Sequence, residues 1–271
     1  MDLDLPRLGF GTYRLTDRDR CVTAVETALD AGYRHVDTAE YYGNEANVGA
    51  GIAASDVDRD DVVLASKVWR DRLGADAFLT SARERVDRLG VDTLDLLYVH
   101  WPLDTYDPEE TLSALLDARE QGLTRHIGLS NFTPDLLDEA IDHLGEPPAA
   151  HQVEMHPLLP QETLWAHARR HDYWLVAYAP LARNAVADVP EVRTVAEKHD
   201  ATPAQVSLAW ALSKEHVAVI PKAGTPAHVR ENYRALALEL DEEDVERIDG
   251  IDRTERIVDF PNAPWNREGV S

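Results

Sequence analysis

Leu94-Asp95-Leu96-Leu97-Tyr98-Val99-His100 is a short run, apolar but for Asp95, that ends in a histidine. It is too short for a buried helix and lacks polar alternation. It therefore reads as a strand covered on both faces, as in parallel sheets. Similar runs flank it at residues 62–68 and 125–130, each one helical stretch away. Further out lie five more, at residues 8–13, 35–38, 151–154, 174–178 and 217–221. Helical period fills the spaces. Residues 17–31 put Val22, Val25, Ala28 and Leu29 on one face before Gly32. Residues 75–89 do the same with Phe78, Leu79, Ala82 and Val86. A third helix is expected over 108–121, with Pro at its first turn. Thr133-Pro134 and Thr202-Pro203 read as an N-cap followed by proline. Eight strand–helix units without a linker or low-complexity tract predict one α/β domain over residues 1–271, a (β/α)8 TIM barrel.

Such barrels carry function at the C-terminal ends of their strands. The polar residues there are Asp37, Lys67, His100, Ser130, Gln152, Tyr178 and Lys222. The widest gap, from Tyr178 to Lys222, is expected to hold an extra helical turn or loop.

Composition excludes several classes. Fifty acidic residues against 27 basic give a formal net charge of −23. Such a surface repels nucleic acid and anionic membranes. The basic residues are mostly arginine, with lysine only at positions 67, 198, 214 and 222. The charge also reads as that of a generally acidic protein, but few lysines and many carboxylates favour a high-salt cytoplasm and a halophilic source. No apolar run reaches the roughly 18 residues of a membrane span. Residues 1–4 lack a signal-peptide pattern, and Cys21 is the only cysteine. A cytoplasmic location is expected.

The segment Gly32-Tyr33-Arg34-His35-Val36-Asp37-Thr38-Ala39-Glu40-Tyr41-Tyr42-Gly43-Asn44-Glu45 resembles the signature of the aldo-keto reductase family, in its prokaryotic 2,5-diketo-D-gluconate reductase-like branch. Three more segments agree: Ala65-Ser66-Lys67-Val68-Trp69, Tyr98-Val99-His100-Trp101-Pro102, and Ile220-Pro221-Lys222 followed by Glu231-Asn232. The resemblance runs from Leu8 to about Ile251. Each motif alone is weak; four in order at strand ends are specific. The resemblance implies an NAD(P)H-dependent oxidoreductase that interconverts aldehydes or ketones and alcohols. It makes Asp37, Tyr42, Lys67 and His100 the catalytic residues.

The chemistry fits those residue types. Negative charge grows on a carbonyl oxygen that receives hydride, so a proton donor must sit there. A free tyrosine, with a pKa near 10, is a weak donor at neutral pH. The Lys67 ammonium, held by Asp37, is expected to lower the Tyr42 value by roughly 1–3 units, while His100 orients the oxygen. General acid catalysis contributes about 10²–10⁴-fold. Taken singly, Asp37 and Lys67 also read as a structural ion pair, and His100 as a core histidine. The five-residue step from Asp37 selects Tyr42 over Tyr41.

By the same resemblance, Ser130, Asn131 and Gln152 bind the nicotinamide amide, Tyr178 stacks on the ring, and Gly11 and Thr12 border the cofactor. Leu181 and Ala182 fall in the loop over the pyrophosphate. Lys222, His228, Glu231 and Asn232 form the phosphate and adenine end. Ser130 and Asn131 also read as a helix cap, and Tyr178 as core packing. Ala223 and His228 stand where the family has a serine and an arginine. The bidentate arginine fork is thus missing, and Arg230 is two residues too late. NADP(H) is expected as cofactor, with NAD(H) also accepted.

Tyr13, Tyr41, Trp69, Trp101 and Phe132 are expected to wall an aromatic pocket for a small-molecule carbonyl or alcohol substrate, although packing roles fit each of them. The N-terminal hairpin of the family is expected to be shortened, and the short tail after Ile251, which holds Trp265, to close the pocket or merely cover the barrel. A monomer is expected. Gly49-Ala50-Gly51-Ile52-Ala53-Ala54 follows no strand, so it reads as a small-residue helix face and not a dinucleotide loop. His167 and His171 are read as a solvated helix face, and no metal is expected. Ser130 lacks the second glycine of a nucleophile elbow. The rival reading is a non-catalytic nucleotide-binding barrel with a sensing role, against which the intact catalytic set argues.

The charge reading has a direct test. Molar NaCl confines the self-repulsion of the acidic surface to about 3 Å. The urea midpoint is expected to rise between low and molar salt. Equal midpoints would rule out salt adaptation.

Overall fold

The computed structural model describes residues 3–266. All eight expected strands form: β1 Phe10–Gly11, β2 His35–Asp37, β3 Val63–Val68, β4 Leu94–Val99, β5 Thr124–Ser130, β6 Ala150–Glu154, β7 Trp174–Tyr178 and β8 Val217–Val219. Each is parallel to its neighbours in chain order. The ring closes where Leu8 bridges Val219: the Gly9 N–H donates to the Val219 carbonyl and the Val219 N–H to the Arg7 carbonyl, each at 2.8 Å. The result is a (β/α)8 barrel.

The described helices are α1 Arg18–Ala31, α2 Glu45–Ala54, α3 Ala75–Leu89, α4 Pro108–Glu120, α5 Pro134–Leu144, α6 Glu162–His171, α7 Pro190–Lys198, α8 Pro203–Ser213, α9 Pro226–Tyr233 and α10 Glu242–Asp249. Local chemistry sets their limits. Asp17, Asp107, Thr133, Thr202 and Thr225 each cap a first turn with the side chain. Gly32, Gly90 and Gly145 end helices at positive φ, where other residues pay a steric cost. The long gap before Lys222 holds two helices, α7 and α8, and a 3-10 segment, Ala182–Asp188. More structure lies there than the one turn or loop expected.

No hairpin precedes β1 among the described residues. Leu3 and Leu5 instead plug the N-terminal end of the barrel against Ala65, Leu96, Tyr98, Ala150, Val176 and Ala218. The Trp174 indole N–H donates to the Leu3 carbonyl at 2.9 Å. The main core lies between the outer strand faces and the helices. The small-residue stretch in α2 serves packing. A Cβ at Gly49 would meet the Leu89 carbonyl oxygen at 2.1 Å, and one at Gly51 would meet Val25 at 2.7 Å.

A buried ionic network stands behind the loop after β2. The fully buried Arg85 on α3 pairs with Glu45 and Glu40, both at 2.7 Å. Glu40 also accepts from the Trp69 backbone N–H and from Arg72 and Ser81. Arg85→Met removes the buried cation shared by Glu40 and Glu45, and Glu45, raised by burial to about 7, then takes up a proton at neutral pH. A loss of about 3–5 kcal/mol in unfolding free energy is expected. Urea denaturation at neutral pH checks it, and adding Glu45→Gln is expected to restore part of the loss.

Candidate active site

The strand ends converge on a cleft of about 960 Å³ at the C-terminal mouth of the barrel. At its base Lys67, on β3, is wholly buried. Its ammonium donates to Asp37 Oδ1 at 2.5 Å and to the Thr38 carbonyl at 2.7 Å. The other Asp37 oxygen accepts from Gln152 Nε2 at 2.8 Å. One carboxylate thereby joins β2, β3 and β6. Tyr42 closes the 3-10 turn Glu40–Tyr42 that leaves β2. Its ring centroid lies 5.4 Å from Lys67 Nζ. The His100 ring stands edge-on to it, centroids 6.0 Å apart, and the Tyr13 ring packs at 5.1 Å. Asp37, Tyr42, Lys67 and His100 are thus brought together.

The electrostatics depart from the sequence expectation in one respect. Burial first, then the Asp37 carboxylate, hold the Tyr42 phenol well above its ordinary value of 10. The expected downward pull of Lys67 does not win. Its charge is cancelled at contact distance by Asp37, and a buried phenolate lacks water. Burial also pushes Lys67 down from its ordinary value, against Asp37. His100 is driven well below 6.5 by burial and by Lys67, so its imidazole is neutral. Its Nδ1 is buried and has no hydrogen-bond partner among the described residues. The arrangement can present a protonated phenol and a neutral imidazole to one oxygen atom.

From this base the cleft runs outward. Gly11, Thr12, Asn131, Gln152, Tyr178, Leu181, Lys222, His228, Glu231 and Asn232 all line it. Asn131 sits at φ +64° just past β5, a region asparagine tolerates better than most residues. Its amide donates to the His100 carbonyl and accepts from the Tyr178 hydroxyl at 2.9 Å. The helix cap is made by Thr133, which leaves Asn131 to the cleft. Ser130 does not line it. Its hydroxyl donates to the Gln152 carbonyl and accepts from Asn131, so it holds neighbours in place. Ala182 is buried and also absent from the wall. Ala179, Ala182, Arg183 and Asn184, after β7, all have positive φ. Backbone strain of this sort gathers at ligand sites.

Of the expected aromatic wall, Tyr13, Tyr41, Trp69 and Trp101 line the cleft, and Tyr41 stacks on Trp69 at 4.1 Å. Phe132 does not. The chain turns at Asn131 and buries Phe132 in the core, edge-on to Tyr106. The tail supplies Val258, Phe260 and Asn262 instead. Trp101 packs on Phe260 and Trp265. The tail is held by Glu154, wholly buried at the end of β6. Its carboxylate accepts the Ile257 and Val258 N–H groups and pairs with His156 at 2.9 Å. The sequence gives no pattern for this, since the partners are a hundred residues apart.

Arginines were also missed. Arg14, Arg70 and Arg183 line the cleft. Arg20 on α1 reaches the Gly224 carbonyl at 3.3 Å. A Cβ on Gly224 would lie 3.0 Å from the Arg20 guanidinium and 3.7 Å from Lys222 Nζ. Lys222 is pulled down by burial and then by Arg20 and Arg14, and it makes no ion pair among the described residues. Arg230 turns back along α9 to Pro226. Adjacent cations without a carboxylate form a seat for an anion. The cleft therefore offers an aromatic ring with amide partners at one end and cations at the other, which fits a phosphorylated dinucleotide.

Among the described residues no helix is long and apolar enough to cross a membrane. The Aldo/keto reductase family model matches residues 7–253. The methylglyoxal reductase DkgB of Escherichia coli O157:H7 is 40% identical over 94% of this chain and 96% of that one. A crystal structure of a putative 2,5-diketo-D-gluconic acid reductase B superposes with a TM-score of 0.92 at 37% identity, covering 96% of this chain and 92% of that one. An aldo-keto reductase of Bombyx mori in complex with NADP gives a TM-score of 0.89 at 29% identity over 96% and 93% of the two chains. The chain belongs to the aldo/keto reductase family, and is an oxidoreductase that reduces carbonyl compounds with NAD(P)H.

Proposed function

We propose that Tyr42 is the proton donor of this reductase and that Asp37, Lys67 and His100 position and polarise it. The observation that carries this is the buried Lys67–Asp37 pair directly beneath the Tyr42 ring, with the His100 edge beside it. The dinucleotide, when bound, supplies a hydride to the carbonyl carbon. Everything else falls to the chain. The phenol, kept protonated by burial, gives its proton to the carbonyl oxygen as charge grows there. The neutral His100 ring orients that oxygen. Asn131, Gln152 and Tyr178 fix the nicotinamide, with Ser130 holding Asn131. Trp69, Trp101 and Phe260 exclude water from the carbonyl. A sensing barrel has no use for this donor set, so the catalytic reading is preferred.

The substrate is a small aldehyde or ketone. A panel starts with 2-oxoaldehydes such as methylglyoxal and with keto sugar acids, since two relatives bear those names. The chain acts as one catalytic unit, a monomer in the cytoplasm.

The cofactor is NADP(H), with NAD(H) also accepted. Lys222 takes the 2′-phosphate as a point charge. Arg20 enters from α1 to supply part of the fork that His228 cannot. Glu231 and Asn232 border the adenine.

Two measurements test these roles. Tyr42→Phe is expected to keep less than about a tenth of kcat while NADPH still quenches the protein's tryptophan fluorescence. Retention of more places the donor elsewhere. The kcat/KM ratio of NADPH to NADH is expected below about 100-fold, and Arg20→Ala is expected to reduce it further by raising KM for NADPH alone. An unchanged ratio in that variant removes Arg20 from the phosphate site.

A further inference from the structure

On the outer face of the barrel, helices α5 and α6 bring together three ligand-type side chains that no step of the reduction uses. His167 and His171 stand one turn apart on α6, and Asp138 faces them from α5. One ligand atom from each lies within 4.8 Å of the others. None of the three lines the cleft. The sequence reading of His167 and His171 as a solvated helix face does not hold: His167 is 1% exposed.

We propose that Asp138, His167 and His171 bind one divalent transition-metal ion of the zinc class, clipping α5 to α6. Tetrahedral zinc, with ligands at about 2.0–2.1 Å, sets neighbouring ligand atoms about 3.3 Å apart. His167 Nε2 and Asp138 Oδ1 already stand at 3.0 Å. The half-buried His171 side chain has to close the two remaining edges, to Asp138 and to His167, by at most about 1.5 Å each, a change within reach of side-chain rotation. Its ring now stacks on His167 with centroids 4.3 Å apart, and coordination requires it to rotate out of that stack. The other His167 nitrogen, Nδ1, meets the buried Tyr173 hydroxyl at 2.7 Å. Metal-bound histidines have such an outer partner, which fixes the ring and its tautomer. Asp138 is 63% exposed, so an ion enters from solvent and takes the place of the proton between Asp138 and His167. Arg170 opposes the ion from the same helix, and the Asp138 carboxylate offsets it. Three protein ligands leave a fourth position for water.

The test is calorimetric titration of chelator-treated protein with Zn²⁺ in molar NaCl, which screens diffuse cation binding to the acidic surface. One equivalent is expected to bind with Kd near or below about 10 µM, raising Tm by about 5 °C. His171→Ala and Asp138→Asn, both at solvent-facing positions, are each expected to weaken binding by about 10-fold or more. Carbonyl reduction by these variants is expected to stay at the parent rate. No saturable site, equal affinity in both variants, or equal affinity for Mg²⁺ overturns the proposal. The first two deny a site at these side chains, and the last reduces it to a patch of carboxylates.

Discussion

The wholly buried ammonium of Lys67 is the constraint around which the barrel mouth is arranged. A lone buried lysine loses several kcal/mol of hydration and would give up its proton. Here Asp37 and the Thr38 carbonyl take two of its N–H groups, and Gln152 holds the other carboxylate oxygen. Three strands are tied across the barrel by charges that cannot be removed one at a time. The Thr38 carbonyl must point inward to serve, so the chain leaves β2 in a fixed direction. The next turn then sets the Tyr42 ring over the ammonium. The Glu40–Arg85–Glu45 network pins that turn from behind.

The same pairing decides which form of the phenol the site keeps. An unpaired ammonium at this range would favour the phenolate. Paired with Asp37, it presents little net charge, and burial prevails. The phenol is therefore held protonated, the form that the proposed donor role needs. The nearby imidazole is kept neutral by burial first and then by Lys67.

Strand periodicity and strand-end chemistry were legible in the sequence because each depends on near neighbours. The eight strands, the Thr133 and Thr202 caps and the placing of Asp37, Lys67, His100 and Gln152 follow from local rules. Phe132 was misplaced because one left-handed residue, Asn131, redirects the chain. A sequence marks no φ value at an asparagine. The Glu154 hold on the tail and the approach of Arg20 to Gly224 join segments 103 and 204 residues apart. Such contacts are set by barrel closure and leave no spacing to read. The direction of the Tyr42 shift was missed because burial competes with Lys67, and burial is a property of the folded site.

The acidic surface and the cation-lined cleft pose one problem with a common answer. An anionic dinucleotide must approach a chain of formal charge −23. At low ionic strength the long-range field repels it. Among the described residues the cleft wall carries Arg14, Arg70, Arg183 and Lys222 against Asp37 and Glu231; Arg70 is paired with Asp104 and Asp37 with Lys67, which leaves three cations against Glu231. Salt that shortens the field to about 3 Å removes the distant repulsion. The proposed phosphate contact to Lys222, being partly buried, is screened much less. The chain can therefore be acidic outside and basic inside without losing its cofactor, provided that its cations touch the phosphates. On the proposed reading of the phosphate site, a missing fork at position 228 is met by another residue at contact range and not by a general excess of positive charge.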